Sequence, residues 1–139
     1  MSTPEPPQSV ERRREARERA LALLYEAEAK GVAPAELLAS LPVPPDPFAV
    51  ELVTGVGDTM EQLDKHIGAV AKGWTVARMP AIDRALLRVG CYELLHSPDT
   101  PKAVVINEAV ELAGRFSTDD SSRFVNGVLS KLAADLRTD

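Results

Sequence analysis

The chain has 139 residues and a formal net charge of −5, enough length for one hydrophobic core but not two, and an acidic balance that excludes coating nucleic acid by bulk electrostatics. Hydrophobic residues make up 45% and aromatic residues only 4%, so the core must be mostly Leu, Val, Ala and Ile, which favours helices. A single cysteine, Cys91, excludes an internal disulfide and a cysteine metal cluster; with no signal-peptide pattern and no long apolar run, the expected compartment is the reducing cytoplasm.

Taken in order, Met1 to Gln8 is proline-rich and aperiodic, so residues 1–8 are expected to be a disordered leader and 9–139 a single all-helical domain. Ser9 is an N-cap for a long first helix that stops near Lys30-Gly31. On this helix Ala20, Leu21, Leu23, Leu24 and Ala27 form one apolar arc, and its extension towards the N-terminus passes through Arg13 and Arg17. Residues 11–19, ERRREARER, hold five arginines against three glutamates, a local charge of +2. Two readings fit. In one, the first turns overhang the core and present guanidinium groups, Arg14 included, to something anionic, because unpartnered burial would cost several kcal/mol each. In the other, Glu11, Glu15 and Glu18 pair with the arginines on a solvated helix start, at about 0.2–0.5 kcal/mol per pair.

Residues 31–47 read as a connector: a short helix with Pro34 at its first turn, then Pro42, Pro44, Pro45 and Pro47. Asp46-Pro47 opens a helix whose stripe of Phe48, Leu52, Val53, Val56, Met60, Leu63, Ile67 and Val70 runs to about Gly73, with a kink or break expected near Gly57. Gly55-Val56-Gly57 lacks a third glycine, a following lysine and a preceding strand, so it is not a phosphate loop. After a short connection from Trp74 to Met79, Pro80 opens a helix that is apolar on every side through His96 and is therefore central. Glu93 shares the line of Ile82, Leu86 and Val89, so a carboxylate at the core must find hydrogen-bond donors there. No second carboxylate is spaced to work with it as an acid/base pair. His66 and His96 read as surface or capping residues, and Cys91 as an inert core thiol.

The next helix shows Ile106, Ala109, Val110, Ala113 and Phe116 at helical spacing, with Glu108, Glu111 and Arg115 on the other side. Ser117 with Asp120 resembles a capping box for a last helix that starts at about Asp120 and buries Phe124, Val125, Val128, Leu129, Leu132 and Leu136. Gly127, costing roughly 1 kcal/mol against alanine, suggests a close helix crossing. No period-two run survives, so the fold class is all-α, a bundle of about six or seven helices, with no catalytic constellation and no cofactor or metal motif.

Three segments carry a resemblance: RRREARERALALLYE, DRALLRVGCYEL and AVVINEAVELAGRFSTDDSSRFVNGVL. In this order they resemble the bacterial NusB family of transcription antitermination factors and span the chain apart from the leader and the 31–47 connector. The resemblance implies an all-helical fold of two small sub-bundles and a non-enzymatic, cytoplasmic RNA-binding protein. It also implies pairing with NusE, a small ribosomal subunit protein, and binding by the pair to single-stranded boxA RNA in ribosomal RNA leaders, within the RNA polymerase antitermination complex. By matching positions, Arg13, Arg14, Arg17, Tyr25, Asp120, Arg123 and Phe124 would face RNA, while Asp83, Arg84, Arg88 and Glu93 lie in the motif next to NusE. Glu15 interrupts the basic run, which implies weak RNA affinity without the partner. Two other readings remain: a helical protein-protein adaptor, and a detached NusB-like module serving RNA modification, since similar domains precede certain RNA cytosine methyltransferases.

Overall fold

The structure, a computed structural model, describes residues 9–139; the leader expected at residues 1–8 lies outside the described residues. Three of the α-helices begin on a side chain that accepts from a free N–H group, and the other three begin at a proline. Ser9 Oγ accepts from Arg12 N at 3.0 Å and opens α1 (Val10–Lys30), which ends at Gly31 with φ 68°, a left-handed stop that suits glycine. The connector holds α2 (Pro34–Ser40), which starts on a proline. Asp46 accepts from Phe48 N at 2.8 Å and opens α3 (Pro47–Val70). A single 3₁₀ turn, Val76–Arg78, then leads to α4 (Ala81–His96), α5 (Lys102–Phe116) and α6 (Asp119–Leu136). Among the described residues there is no strand.

Side-chain pairings give the direction of each helix. Arg17 meets Glu93 and Glu28 meets Arg84, so α1 and α4 are antiparallel; Arg14 meets Glu108 and Glu18 meets Arg115, so α1 and α5 are parallel. With α3 alongside α1 and α6 alongside α4, the starts of α1, α3 and α5 share one end of the bundle and the starts of α4 and α6 share the other. Helices α1–α3 form one sub-bundle and α4–α6 the other, and α4 joins them by packing on α1, α3, α5 and α6. That explains its all-round apolarity: Ala85, Leu86, Leu87, Val89, Cys91 and Leu94 are all buried in one contiguous core.

The bend expected near Gly57 is present, and several other expectations are corrected. The bend in α3 falls at Thr59 (φ −120°, ψ 16°), two residues past Gly57, where Thr59 Oγ1 donates to the Gly55 carbonyl at 2.7 Å. Gly57 serves contact instead, since a Cβ there would lie 3.2 Å from the Pro34 ring. Helix α5 is turned from the expected face: it buries Val105, Glu108, Ala109, Leu112 and Ala113, while Phe116 is exposed. The physical reason is that Arg14 reaches across from α1 and gives Glu108 its donors. Helix α6 is capped by Thr118, which accepts from Ser121 N at 3.1 Å, and not by Ser117 or Asp120; Asp119 and Asp120 sit in its first turn, where the helix dipole favours acid. Gly127 makes no close crossing, for nothing lies within 4 Å of a Cβ built there.

The close crossing is at Gly90, where a Cβ would come within 2.7 Å of Leu129, a side chain that is itself fully buried. At the far end Arg137 donates to the carbonyl oxygens of Leu94 (2.7 Å), Ser97 (2.9 Å), Thr100 (3.0 Å) and Glu93 (3.1 Å), satisfying the open end of α4.

Because Leu129 has no room to retreat, Gly90→Ala should destabilise the fold by about 1–3 kcal/mol in urea unfolding, despite alanine's higher helix propensity. Burial pushes the Cys91 thiol up to about 12. At neutral pH a disulfide exchange reagent should therefore modify Cys91 only in denaturant; prompt labelling of the folded protein would contradict its placement.

Candidate nucleic-acid interface

The arginines at the start of α1 do not stand out as an overhanging row. Helix α1 buries residues from Ala16 to Ala27, and each arginine that points inward meets a partner. Arg17 is 4% exposed and donates through Nε (2.9 Å) and Nη2 (2.8 Å) to the two carboxylate oxygens of Glu93, which is 1% exposed. The overhang expected for Arg17 is thus corrected: α4 supplies the buried carboxylate that makes its burial tolerable. Arg13 is half-buried, with its guanidinium 4.6 Å from the Phe48 ring centre and Nη1 3.5 Å from Thr100 Oγ1. The glutamates of the same helix start are not the partners; Asp46, Glu93 and Glu108 from other elements are.

Arg12 and Arg14 keep their outer edges in solvent. Arg14 contacts Glu108 through Nε alone, at 2.8 and 3.1 Å, and this hydrogen bond raises the already high pKa of the guanidinium. Among the described residues its Nη groups make no hydrogen bond, so the flat outer face of the fork remains open to an anion. Eleven residues on, Tyr25 lies within about 20° of Arg14 around the helix and about 16 Å along it. It is exposed, in a shallow cleft of about 260 Å³ with Leu21, Ile82 and Phe116. Arg115 stacks 5.0 Å from the Phe116 ring and bonds Glu18 at 3.3 and 3.4 Å. Arg14 and Tyr25 therefore mark one exposed stripe along α1, flanked by a cation and a ring from α5.

At the other end of the bundle, Arg123 is exposed and pairs with Asp120 one turn earlier on α6. Phe124 is partly covered by Trp74, ring centres 5.6 Å apart. The four residues expected next to a protein partner are engaged internally. Asp83 and Glu93 are buried, Glu93 in the core as its line along the helix implies; Asp83 Oδ2 accepts from Ser121 Oγ at 3.0 Å, while Oδ1 has no partner among the described residues. Arg84 donates to the Met79 and Val76 carbonyls and pairs with Glu28, whose carboxyl that bond holds below its usual range. Arg88 donates to both carboxylate oxygens of Asp64 through Nε and Nη2, each at 2.8 Å. Arg88 and Glu28 rim an apolar groove of about 250 Å³ lined by Leu24, Val32, Pro34 and Met60.

The family model described as the NusB family matches residues 14–134. The chain belongs to the NusB family. It is 43% identical over 125 residues to the transcription antitermination protein NusB of Kineococcus radiotolerans, covering 87% of this chain and 92% of that one. It is 50% identical over 127 residues to the protein of the same name from Saccharopolyspora erythraea, covering 87% and 86%. Among solved structures it superposes on T. maritima NusB with a TM-score of 0.81 at 28% identity, over 99% of this chain and 96% of that one. A structure of NusB and NusE in complex with double-stranded RNA matches with a TM-score of 0.79 at 25% identity, over 91% and 99%.

Within the NusB frame, sequence reasoning missed Glu108, Phe116 and Trp74. Trp74 carried a signal, being the chain's sole tryptophan placed beside a lysine and a glycine; Glu108 carried none, because its partner Arg14 is 94 residues away. Among the described residues no group of three or more His, Cys, Asp or Glu is arranged to hold a metal, and no helix is long and apolar enough to cross a membrane.

Removing one member of the Arg17–Glu93 pair leaves the other charged and buried. Arg17→Met or Glu93→Gln should each cost roughly 3–5 kcal/mol in chemical denaturation, and a double variant markedly less than the sum. Additive losses would show that the two side chains do not depend on each other.

Proposed function

We propose that this chain is a transcription antitermination factor that, with NusE, binds single-stranded boxA RNA of ribosomal RNA leader transcripts, and that residues 9–139 act as one RNA-binding domain in the cytoplasm. Membership of the NusB family supports the activity, and the relative solved with NusE and RNA supports the partners. The observation that carries the RNA surface is the stripe from Arg14 to Tyr25, with the outer face of Arg14 open and a ring about three turns away. Unpaired bases stack on rings and guanidinium planes while phosphates pair with charge, which is what such a stripe offers.

Roles divide accordingly. Arg14, Tyr25, Arg123 and Phe124 contact the strand; Arg13 and Arg17 are positioning residues that fix α1; Asp120 aligns Arg123. On the protein-partner side, Arg84 and Arg88 border the groove that receives NusE, and Asp83 and Glu93 act from beneath by fixing α4. Nothing in this scheme calls for catalysis. A protein-only adaptor is favoured by one observation, that Arg12, Arg14 and Arg115 all pair with carboxylates.

One titration separates the two. Labelled boxA RNA is added to the protein alone and with NusE, using wild type and Arg14→Ala. Binding should tighten with NusE, weaken about tenfold in the variant, and fall with salt at a log-log slope of roughly −1 to −2, for the two phosphates that Arg14 and Arg123 neutralise. If the complex forms yet ignores RNA, the adaptor reading stands.

A further inference from the structure

On α5 the side chains of Asn107 and Glu111 are exposed, yet Glu108 between them is turned inward and is only 7% exposed. A buried carboxylate needs donors, and among the described residues Glu108 finds one, the Nε–H of Arg14, which its two oxygens accept at 2.8 and 3.1 Å. Arg14 itself stays half in solvent, so the pair adds little to stability, and an unbranched apolar side chain at position 108 would fill the same space. Stability therefore does not account for a carboxylate here.

The edge of a guanidinium that a carboxylate occupies decides what is left for another anion. Glu93 takes both Nε and Nη2 of Arg17, and that fork is spent. Glu108 takes Nε alone, so the N–H groups on both Nη nitrogens of Arg14 remain, on the edge that can grip two oxygens of one phosphate. A long side chain loses rotamer freedom when it binds, and that loss weakens binding unless the side chain is already fixed. Glu108 fixes Arg14 in the free protein. Its negative charge opposes a phosphate at the same place, but that charge is largely neutralised by the arginine it is bonded to, so orientation outweighs repulsion. Glu111, about one turn along α5, is exposed and acts on Arg14 through its charge without a bond, so it supplies repulsion alone. We infer that Glu108 is a positioning residue for RNA: it aims the Arg14 fork at the strand and raises RNA affinity although it is itself an anion. This rests on the RNA-binding reading above and adds to it a residue that does not touch the RNA.

Labelled boxA RNA is titrated into the full chain with NusE, for wild type, Glu108→Met, Glu108→Gln, Glu111→Gln, Arg14→Ala and the double variant Arg14→Ala/Glu108→Met. Thermal melts and NusE affinity without RNA check that each variant is folded and competent. Glu108→Met should weaken RNA binding by about five- to tenfold with the salt slope unchanged, and should cause no further loss when Arg14 is already alanine. Glu108→Gln, which keeps an acceptor for Nε, should restore most of the affinity, while Glu111→Gln should tighten binding by up to about threefold because it removes only a like charge. If Glu108→Met tightens binding as Glu111→Gln does, or leaves it unchanged, Glu108 does not position Arg14 and the inference is overturned. A loss of equal size with and without Arg14 makes Glu108 a scaffold residue of α5 and overturns it too. If the wild-type complex forms with NusE but binds no RNA, the RNA reading itself falls and this inference with it.

Discussion

The buried pair of Arg17 and Glu93 is the constraint on which the rest of the architecture turns. Both side chains are almost wholly removed from water and bonded twice to each other, so neither α1 nor α4 can slide or rotate without stranding a charge. A pair of this kind adds little net stability over two well-fitted apolar residues, yet it penalises every alternative register by several kcal/mol. With the rotation of α1 set at Arg17, Arg13 falls onto Phe48 of α3 and Arg14 falls opposite Glu108 of α5. One ion pair therefore decides which arginines are structural and which keep an open edge.

The other charged groups brace the surface more weakly. Arg14 with Glu108 and Arg115 with Glu18 are half in solvent, where a pair contributes about 1 kcal/mol or less. Their value lies in geometry: Glu108 holds the Nε edge of Arg14 and turns its fork outward, which lowers the conformational cost of meeting a phosphate. Arg137, near the C-terminus of the chain, does comparable work, where one guanidinium closes four carbonyls at the end of α4 and in the turn that follows it. Together these contacts make the central helix a fixed rod, with a cationic stripe near one end of the bundle and the Trp74–Phe124 ring pair at the other.

Most of the fold was legible in the residues themselves. Helix limits followed from Ser9, Gly31, Pro34 and Asp46, because caps and stops are local chemistry, and the central place of α4 followed from apolarity all round it. The RRREARERALALLYE, DRALLRVGCYEL and AVVINEAVELAGRFSTDDSSRFVNGVL segments sufficed to name the NusB family, whose model spans all three except the first arginine, Arg12, and Arg13 beside it.

What the residues could not give was pairing across distance. Periodicity placed Glu93 in the core and Arg17 on an apolar arc, but nothing in the order of the chain said that the two would meet across 76 positions. Without that pairing, burial of Arg17 looked too costly, and an overhang and a solvated helix start were the two readings left. The same blindness turned α5 by about one residue, because Glu108 reads as a solvent residue until Arg14 is beside it. Local sequence determined where helices start and stop, since capping and propensity act within a few residues. Only the tertiary structure decided which charges are buried, because the free energy of a buried charge depends on a partner that the fold, not the neighbouring sequence, brings to it.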